Sequence, residues 1–324
     1  MNTSRESPVL EVRDLVKHFD MRRSLLRRGR GKVRAVDGVS LQVEAGKTTA
    51  LVGESGCGKS TIARLILQLL QPDRGEILLG GEAVVDASKE FRRSVQMVFQ
   101  DPYSSLTPHL TIGSLLKEPL AIHKACRTEE MEDQILENIS AVGLPGDILN
   151  RHPHELSGGQ RQRIGIARAI SVNPKLVVCD EPVSALDVSI RSQIINLLLD
   201  LQKSRNLAYL FISHDLDMVA HVSDYVAVMY LGKIVEQAPT ETFFAGPKHP
   251  YSKALLASAL IPDPKRRTGK IQLAGEVDSG AGLGVGCSFR SRCPLAVEKC
   301  ASEVPMLLLS GDEHLVACHR TESS

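Results

Sequence analysis

The sequence predicts an α/β protein built around a mostly parallel sheet. Three short apolar runs indicate buried strands: 48–52, 176–179 and 207–212. Each run is apolar on both of its alternating faces, as expected for strands that helices cover on both sides. Segments with a helical period separate the second and third runs. The chain therefore alternates strands with helices, which is the pattern of a parallel sheet.

The remaining elements complete this prediction. Residues 8–19 predict an amino-terminal strand, and helical periodicity covers 128–142. Another helix is predicted to begin after Ser189, which we interpret as its N-cap. Shorter alternating runs predict an antiparallel meander that turns at Gly80-Gly81, and they lie at 76–79, 83–85 and 95–99.

Composition and charge limit the classes of protein. The 324 residues include 39 basic and 38 acidic ones, for a net charge of +1, and 43% are hydrophobic. A chain with this share of hydrophobic residues can form a packed core. Its net charge near zero does not suit a protein that binds nucleic acid mainly by charge. The sequence contains no apolar run of about 18 residues and no amino-terminal signal peptide, so we expect a cytoplasmic chain.

The amino-acid composition of the chain changes near residue 240. Five prolines between 239 and 264 and a glycine-rich run at 280–286 follow that point. We therefore predict a domain of residues 1–240 and an appended segment of residues 241–324.

A basic stretch without acidic residues occupies positions 22–34. The plain interpretation is a solvated hairpin loop. The alternative is contact with acidic lipid head groups or with the acidic face of a partner. The basic residues are Arg22, Arg23, Arg27, Arg28, Arg30, Lys32 and Arg34.

A phosphate-binding loop is predicted directly after the first apolar run. Residues 53–61 fit the pattern G-x-x-x-x-G-K-[ST] and are called the phosphate loop below. Its glycines let backbone N–H groups face phosphate oxygens, and Lys59 supplies a positive charge for the β- and γ-phosphates. Ser60 offers a hydroxyl to Mg²⁺, and the following helix directs its positive end at the anion. The loop consists of Gly53, Glu54, Ser55, Gly56, Cys57, Gly58, Lys59, Ser60 and Thr61.

Polar residues that end the other predicted strands are candidate catalytic groups. Asp180 closes the second apolar run and can hold Mg²⁺ through water, and Glu181 can act as general base. His214 follows the third run, where a γ-phosphate is expected. Gln100 can reach both Mg²⁺ and the attacking water. A lone histidine or glutamine is usually structural, so these two assignments depend on the phosphate loop.

A second anion site is predicted at residues 156–160, before a predicted helix at 161–170. Ser157 caps that helix, while Gly158 and Gly159 expose backbone N–H groups. Two phosphate-facing surfaces with one lysine loop suggest a nucleotide held between two subunits. The alternative is an isolated Ser-Gly-Gly turn. The segment reads Leu156, Ser157, Gly158, Gly159 and Gln160.

In this order, the motifs resemble those of the ATP-binding cassette (ABC) ATPases. They are similar to the Walker A loop, the Q-loop at Gln100, the signature at 156–160, the Walker B strand and the H-switch at His214. The D-loop corresponds to Ser184, Ala185, Leu186 and Asp187. The resemblance covers about residues 1–240.

The resemblance implies a P-loop ATPase core with an antiparallel β-subdomain and a helical subdomain at about 101–170 that touches membrane subunits. It implies ATP and Mg²⁺ as ligands, with Phe19 stacking on adenine. It implies Mg²⁺ bound by Ser60, Gln100 and Asp180, and catalysis by Lys59, Gln100, Glu181 and His214. It also implies a head-to-tail dimer in which the signature residues contact the γ-phosphate in trans.

Further segments are similar to the ATPase subunits of oligopeptide and dipeptide permeases, and more to the F-type than to the D-type. These segments are 99–108, 158–168, 249–255, 261–264 and the cysteine-bearing tail. The resemblance implies peptide import through two transmembrane permease subunits, with a distinct D-type ATPase partner and an extracytoplasmic solute-binding protein. It implies a peripheral position on the cytoplasmic face of the inner membrane and no nucleic-acid partner.

Three other functions remain open from the sequence. One is a related importer for another solute, such as a metal chelate or a glycoside. Another is a non-transport ABC ATPase that acts on DNA or ribosomes. The third is a sensor whose tail reports iron or redox state.

The tail carries four cysteines spaced C-x5-C-x6-C-x17-C. Clustered thiols in a reducing compartment suggest a metal rather than disulfides, and a [4Fe–4S] cluster acting as a structural staple suits this set. Zinc, together with His314 or His319, and free thiols are the alternatives. Cys57 and Cys179 are interpreted as packing residues. The tail cysteines are Cys287, Cys293, Cys300 and Cys318.

Overall fold

The structure is a computed structural model that describes residues 7–20, 32–101, 106–259 and 285–321. Several predictions from the sequence fall at least partly outside these residues. They concern most of the basic stretch at 22–34, part of the 99–108 segment, most of the glycine-rich run at 280–286 and the 261–264 segment.

The described strands are β1 (Leu10–Asp20), β2 (Lys32–Val43), β3 (Thr48–Val52), β4 (Arg74–Leu79), β5 (Glu82–Ala83), β6 (Val95–Val98), β7 (Leu176–Asp180), β8 (Ala208–Ser213), β9 (Tyr225–Tyr230), β10 (Lys233–Pro239), β11 (Leu308–Leu309) and β12 (Leu315–Val316). The α-helices are α1 (Lys59–Ile66), α2 (Lys89–Ser94), α3 (Ile112–His123), α4 (Met131–Ala141), α5 (Gly158–Ile170), α6 (Val188–Arg205), α7 (Leu216–Val222), α8 (Thr240–Ala245), α9 (Pro250–Ala259) and α10 (Lys299–Ser302). Short 3₁₀ turns cover Thr128–Glu130, Gly146–Asn150 and Pro153–Glu155. None of the described helices is both long and apolar enough to cross a membrane.

Contacts divide the chain into two compact units, each made of separate segments. Of the described residues, the first unit contains 7–10, 43–48, 79–101 and 106–212. The second unit contains 11–20, 32–42, 49–78, 213–259 and 285–321. The division at residue 240 that composition suggests stays a prediction.

The first unit contains three parallel strands, β6, β7 and β8. β6 pairs with β7 from Val95↔Leu176 to Val98↔Cys179, and β7 pairs with β8 from Leu176↔Ala208 to Asp180↔Ile212. The prediction that 95–99 belongs to an antiparallel meander is wrong. Gln96 is polar, and both Gln96 and Met97 are only half-buried, so the sequence of this strand resembles that of a strand with a solvent-facing side.

The helices of the first unit begin at residues that can cap them. Ser157 caps α5: its hydroxyl accepts the Gln160 N–H at 3.3 Å, and the Gln160 side chain accepts the Ser157 N–H at 3.0 Å. This capping box starts α5 three residues earlier than predicted. The helix predicted to follow Ser189 also begins earlier, because Asp187 is the N-cap residue of α6. The periodic segment at 128–142 forms a 3₁₀ turn followed by α4.

The second unit contains a mixed sheet and a separate group of strands. β3 runs parallel to β9, β9 is antiparallel to β10, and the tail strand β12 extends the sheet by pairing with β10 and β11. Strand β1 lies between β2 and β4 in the other group. All five residues of β3 are buried, as the apolar run predicts. The mixture of parallel strands and helices confirms the α/β class.

A buried carboxylate attaches the tail to this sheet. A β-bulge lies between Ile234 and Glu236 in β10, and Glu236 is fully buried. Its carboxylate accepts the backbone N–H groups of Lys248 (2.6 Å) and His249 (3.0 Å), and it lies 2.7 Å from Nε2 of the buried His314. Because a buried charge needs several partners, this residue holds the start of α9 and the tail on one strand.

Candidate active site

The phosphate loop joins β3 to α1 and contains three glycines with positive φ. Gly58 is the N-cap residue of α1 and has φ 116°, a conformation that side chains with a Cβ rarely adopt. A Cβ at Gly58 would lie 2.0 Å from the carbonyl oxygen of Ala35. The backbone around the loop therefore approaches too closely for any residue larger than glycine at this position.

Lys59 lies at the centre of this loop. Its side chain is buried, and Nζ donates hydrogen bonds to the carbonyl oxygens of Gly53 (2.7 Å) and Glu54 (3.0 Å). Two neutral acceptors are a weaker environment for an ammonium group than phosphate oxygens. The lysine is therefore placed to transfer its hydrogen bonds to an anion that enters the loop.

Two backbone N–H groups of the loop donate hydrogen bonds to acceptors within the protein. The Glu54 N–H donates to the Tyr251 hydroxyl at 2.9 Å, and the Cys57 N–H donates to the Glu54 carbonyl at 3.3 Å. The Cys57 thiol is buried, and burial raises its pKa, which suits a packing residue. Cys179 in β7 is buried too, and burial raises the pKa of its thiol. Ser55, Gly56 and Ser60 are exposed, and Thr61 is half-buried.

In the first unit, Gln100 and Glu181 are in contact. Gln100 Nε2 donates to Glu181 Oε2 at 3.0 Å. The two residues follow neighbouring parallel strands, β6 and β7, whose carboxyl ends lie side by side. Asp180 is the last residue of β7 and is half-buried. One edge of the sheet therefore presents two carboxylates and an amide, the ligand types that Mg²⁺ and a water nucleophile use.

The backbone of Glu181 is constrained. Its φ is +47°, a left-handed conformation that costs a residue with a side chain about 1–3 kcal/mol. Its N–H donates to the Ile212 carbonyl at 2.9 Å, and its carbonyl accepts the Ser184 hydroxyl at 3.1 Å. These bonds hold the backbone of Glu181 in its strained conformation.

The segment predicted as the D-loop lies against the signature segment. A Cβ at Gly159 would lie 2.7 Å from Ile190 Cγ2, and one at Gly158 would lie 3.4 Å from the Leu186 side chain. Arg191 stabilises the loop by donating from Nε to the Leu186 carbonyl at 2.7 Å. Leu156 and Leu186 are buried, whereas Ser157, Gly158, Ala185 and Asp187 are exposed and Gly159, Gln160 and Ser184 are half-buried.

Two further predicted site residues belong to the second unit. His214 directly follows β8 and is exposed. Phe19 lies near the end of β1 with 38% of its surface exposed, and Lys17 Nζ is 5.9 Å from its ring centroid. An exposed aromatic ring of this kind is able to stack on a planar ligand.

The four tail cysteines do not form a ready-made metal site. Across the residues that the structure describes, no three side chains of His, Cys, Asp or Glu meet around one metal position. The thiols are nevertheless close enough to affect one another. Burial raises the pKa of Cys287 most, and charges on Cys300, Cys293 and Cys318 raise it further.

Reasoning from the sequence missed two residues that contact the phosphate loop. Tyr251 holds the Glu54 N–H, and Arg292 pairs with the Glu54 carboxylate. Arg292 is 238 positions from Glu54, and no local pattern marks it. The one feature of the sequence that distinguishes Arg292 is its position beside Cys293, in the tail that carries the four clustered cysteines.

Comparison with known proteins identifies the family. The profile of the ABC transporter family matches residues 36–184, and that of the oligopeptide/dipeptide transporter C-terminal region matches residues 235–300. The oligopeptide transport ATP-binding protein AppF of Bacillus subtilis is 46% identical over 328 residues, which cover 98% of this chain and 99% of AppF. The chain belongs to the ATP-binding subunits of ABC transporters of the oligopeptide/dipeptide type. The predicted resemblance is thereby confirmed.

A further relative and two solved structures of ABC proteins also match this chain. The di/tripeptide transport ATP-binding protein DppF of Pseudomonas aeruginosa is 48% identical over 320 residues, covering 97% of this chain and 98% of DppF. The structure of cbiO1 from Clostridium perfringens, part of the ABC transporter complex cbiONQ, matches with a TM-score of 0.64 and 27% identity over 74% of this chain and 92% of cbiO1. The dimeric ATP-binding cassette MJ0796 bound to ADP and Pi matches with a TM-score of 0.62 and 26% identity over 71% of this chain and 98% of that one. The ABC ATPase fold is therefore confirmed.

Substitution by alanine is expected to lower stability by different amounts at two glycines of the phosphate loop, Gly56 and Gly58. Gly58→Ala has to relieve the 2.0 Å approach to the Ala35 carbonyl as well as backbone strain, so we expect a loss of about 2–5 kcal/mol in stability. Gly56→Ala is the matched control. Gly56 also has positive φ, but no atom lies within 4 Å of its Cβ position, so we expect a loss of about 1–2 kcal/mol. Thermal unfolding followed by circular dichroism without nucleotide measures both. Equal losses for the two variants would contradict the steric account of Gly58.

Proposed function

We propose that this subunit hydrolyses ATP to energise the import of di- or oligopeptides through partner membrane permease subunits. The observation that carries the proposal is the similarity to peptide transport ATP-binding proteins over nearly the whole chain, at 46–48% identity. The match includes the oligopeptide/dipeptide transporter C-terminal region at residues 235–300, in addition to the ABC transporter family at residues 36–184. That second match favours a peptide importer over an importer of metal chelates or glycosides, and over a non-transport ATPase.

Each candidate residue has a chemical role in this reaction. Lys59 would bind the β- and γ-phosphates, and the backbone of residues 53–61 would surround them. Ser60, Asp180 and Gln100 would hold Mg²⁺, which neutralises phosphate charge when bound. Phe19 would stack on adenine.

The attacking water needs a base and a fixed direction. Glu181 is proposed as that base, and the Gln100 hydrogen bond at 3.0 Å holds its carboxylate in place. His214 would contact the γ-phosphate. The signature residues 156–160 and the D-loop residues 184–187 would act on the nucleotide of the partner ATPase.

The partner proteins follow from the same proposal. A head-to-tail dimer with a distinct D-type ATPase would complete two ATP sites. Two transmembrane permease subunits would form the path, and an extracytoplasmic binding protein would select the peptide. The subunit would then lie on the cytoplasmic face of the inner membrane.

Glu181→Gln tests the assignment of the base. We expect ATP affinity close to that of the parent and hydrolysis slower by about 100-fold or more, because glutamine cannot accept the proton of the attacking water. Steady-state phosphate release and equilibrium ATP binding measure the two quantities. Lys59→Ala is the control that loses binding itself. Hydrolysis at the parent rate in Glu181→Gln would show that another group is the base.

The same Glu181→Gln variant tests the transport role. Tagged Glu181→Gln, purified from membranes with ATP and Mg²⁺, should carry two multi-span permease subunits and one different ATPase. Capture with ribosomes or DNA and without membrane subunits would overturn the transport proposal and leave the ATPase assignment standing.

We also propose that the four tail cysteines hold a [4Fe–4S] cluster that acts as a structural staple. Four cysteine thiols clustered in one segment of the chain are a suitable donor set. Because no three described side chains converge on one metal position, the tail has to close around the cluster. Anaerobically purified full-length protein should contain about four iron and four sulfide ions per chain, and Cys293→Ser should lower both. Zinc without sulfide, or no metal, would contradict this proposal.

A further inference from the structure

One ion pair joins the C-terminal tail to the phosphate loop. Arg292 Nη1 donates to Glu54 Oε2 at 2.9 Å, and Nη2 donates to Oε1 at 3.0 Å. A guanidinium that binds both oxygens of a carboxylate fixes the direction of the contact as well as its length. The side chains are only 8% and 24% exposed, so solvent screens the pair less than it screens a surface pair.

A group of aromatic rings holds Arg292 in position. Its guanidinium carbon is 5.8 Å from the centroid of the Tyr230 ring, and Nη1 is 3.4 Å from the Tyr230 hydroxyl. The Tyr230 ring contacts the rings of Tyr251 (4.7 Å) and Phe289 (5.2 Å). Tyr251 in turn accepts the Glu54 N–H. The same aromatic group therefore fixes both the backbone of Glu54 and the cation that pairs with its side chain.

The helix that begins at Pro250 holds Tyr251 in this group. The Tyr251 N–H donates to Nδ1 of the buried His249 at 3.1 Å. Burial lowers the pKa of His249 to about 4, so the ring is neutral near pH 7 and Nδ1 can accept this hydrogen bond. The contact to the phosphate loop is thus anchored in the buried part of the C-terminal segment.

The ion pair bears on anion binding because Glu54, which carries the negative charge, belongs to the phosphate loop. The Glu54 carbonyl accepts a hydrogen bond from Lys59, the cation assigned to the β- and γ-phosphates. An unpaired carboxylate on that residue would repel a polyanion that enters the loop. Arg292 supplies the opposite charge from outside the loop.

We propose that Arg292 is a positioning residue for nucleotide binding, which offsets the charge of Glu54 and keeps the phosphate loop receptive to ATP. The proposal rests on the proposed function, because it assumes that the phosphate loop binds ATP. It also makes ATP affinity depend on the contact of one tail residue, Arg292, with Glu54. No property of the thiols is needed for this coupling.

The first test is MgATP binding to the full chain by isothermal titration calorimetry. Arg292→Ala should weaken the affinity about tenfold or more, because one unit charge near the phosphates acts at an effective dielectric constant of about 20. The double variant Glu54→Gln/Arg292→Ala should return to within about threefold of the parent, since no carboxylate remains to be offset. Glu54→Gln alone should bind at least as tightly as the parent.

Arg290→Ala is the matched control within the tail. Arg290 Nη1 donates to the Val285 and Ala301 carbonyls, so this variant disturbs tail packing without touching Glu54. Its affinity for MgATP should stay within about threefold of the parent. Arg292→Ala should also raise KM for ATP while leaving kcat at saturating ATP nearly unchanged, which a general loss of folding would not do.

The outcomes separate the two proposals. Unchanged affinity in Arg292→Ala, or a double variant as weak as the single one, would overturn the role of Arg292. If Arg292→Ala does not fold, weaker binding by Glu54→Gln would overturn it and binding as tight as in the parent would support it. Parent-like affinity in Lys59→Ala would instead overturn the phosphate loop as the ATP site.

Discussion

A buried ammonium group inside a loop of nine residues is the constraint on which the candidate site depends. Lys59 has to remain charged for phosphate and still be satisfied when no phosphate is present. The carbonyl oxygens of Gly53 and Glu54 meet that need, and only a backbone with left-handed glycines brings them to the Lys59 side chain. The buried strand β3 and the apolar face of α1 hold the two ends of the loop. A carboxylate at Glu54 then requires a cation from elsewhere, and the tail provides Arg292.

The other unit solves a related problem for the proposed base. A carboxylate that activates water must keep one direction without being neutralised. Glu181 accepts a neutral amide donor from Gln100, which orients the carboxylate without adding positive charge. Its left-handed backbone is held by hydrogen bonds to Ile212 and Ser184. Strain of this kind is typical of functional positions, where neighbouring contacts impose the conformation.

Sequence patterns predicted β3 and the cap of α5 well, because both depend on residues that lie close together along the chain. β3 begins and ends where its apolar run does, and Ser157 caps α5 through a side chain three residues from its partner. The pattern failed at 95–98, where a half-buried strand in a parallel pair has the alternation of an exposed one. It also placed the start of α6 at the wrong cap, because Asp187 and Ser189 are both residues that start helices. The contacts of Arg292 and of Glu236 could not be predicted, since their partners lie far away along the chain and Glu236 itself lies beside a bulge.

A structure of the full chain determined with ATP and Mg²⁺ would show whether residues 53–61 hold the phosphates as proposed. Lys59 Nζ should leave the carbonyl oxygens of Gly53 and Glu54 for the phosphates, while Arg292 should keep both hydrogen bonds to Glu54. A nucleotide bound outside residues 53–61, or a lysine that retains its carbonyl contacts while ATP is bound, would refute this assignment.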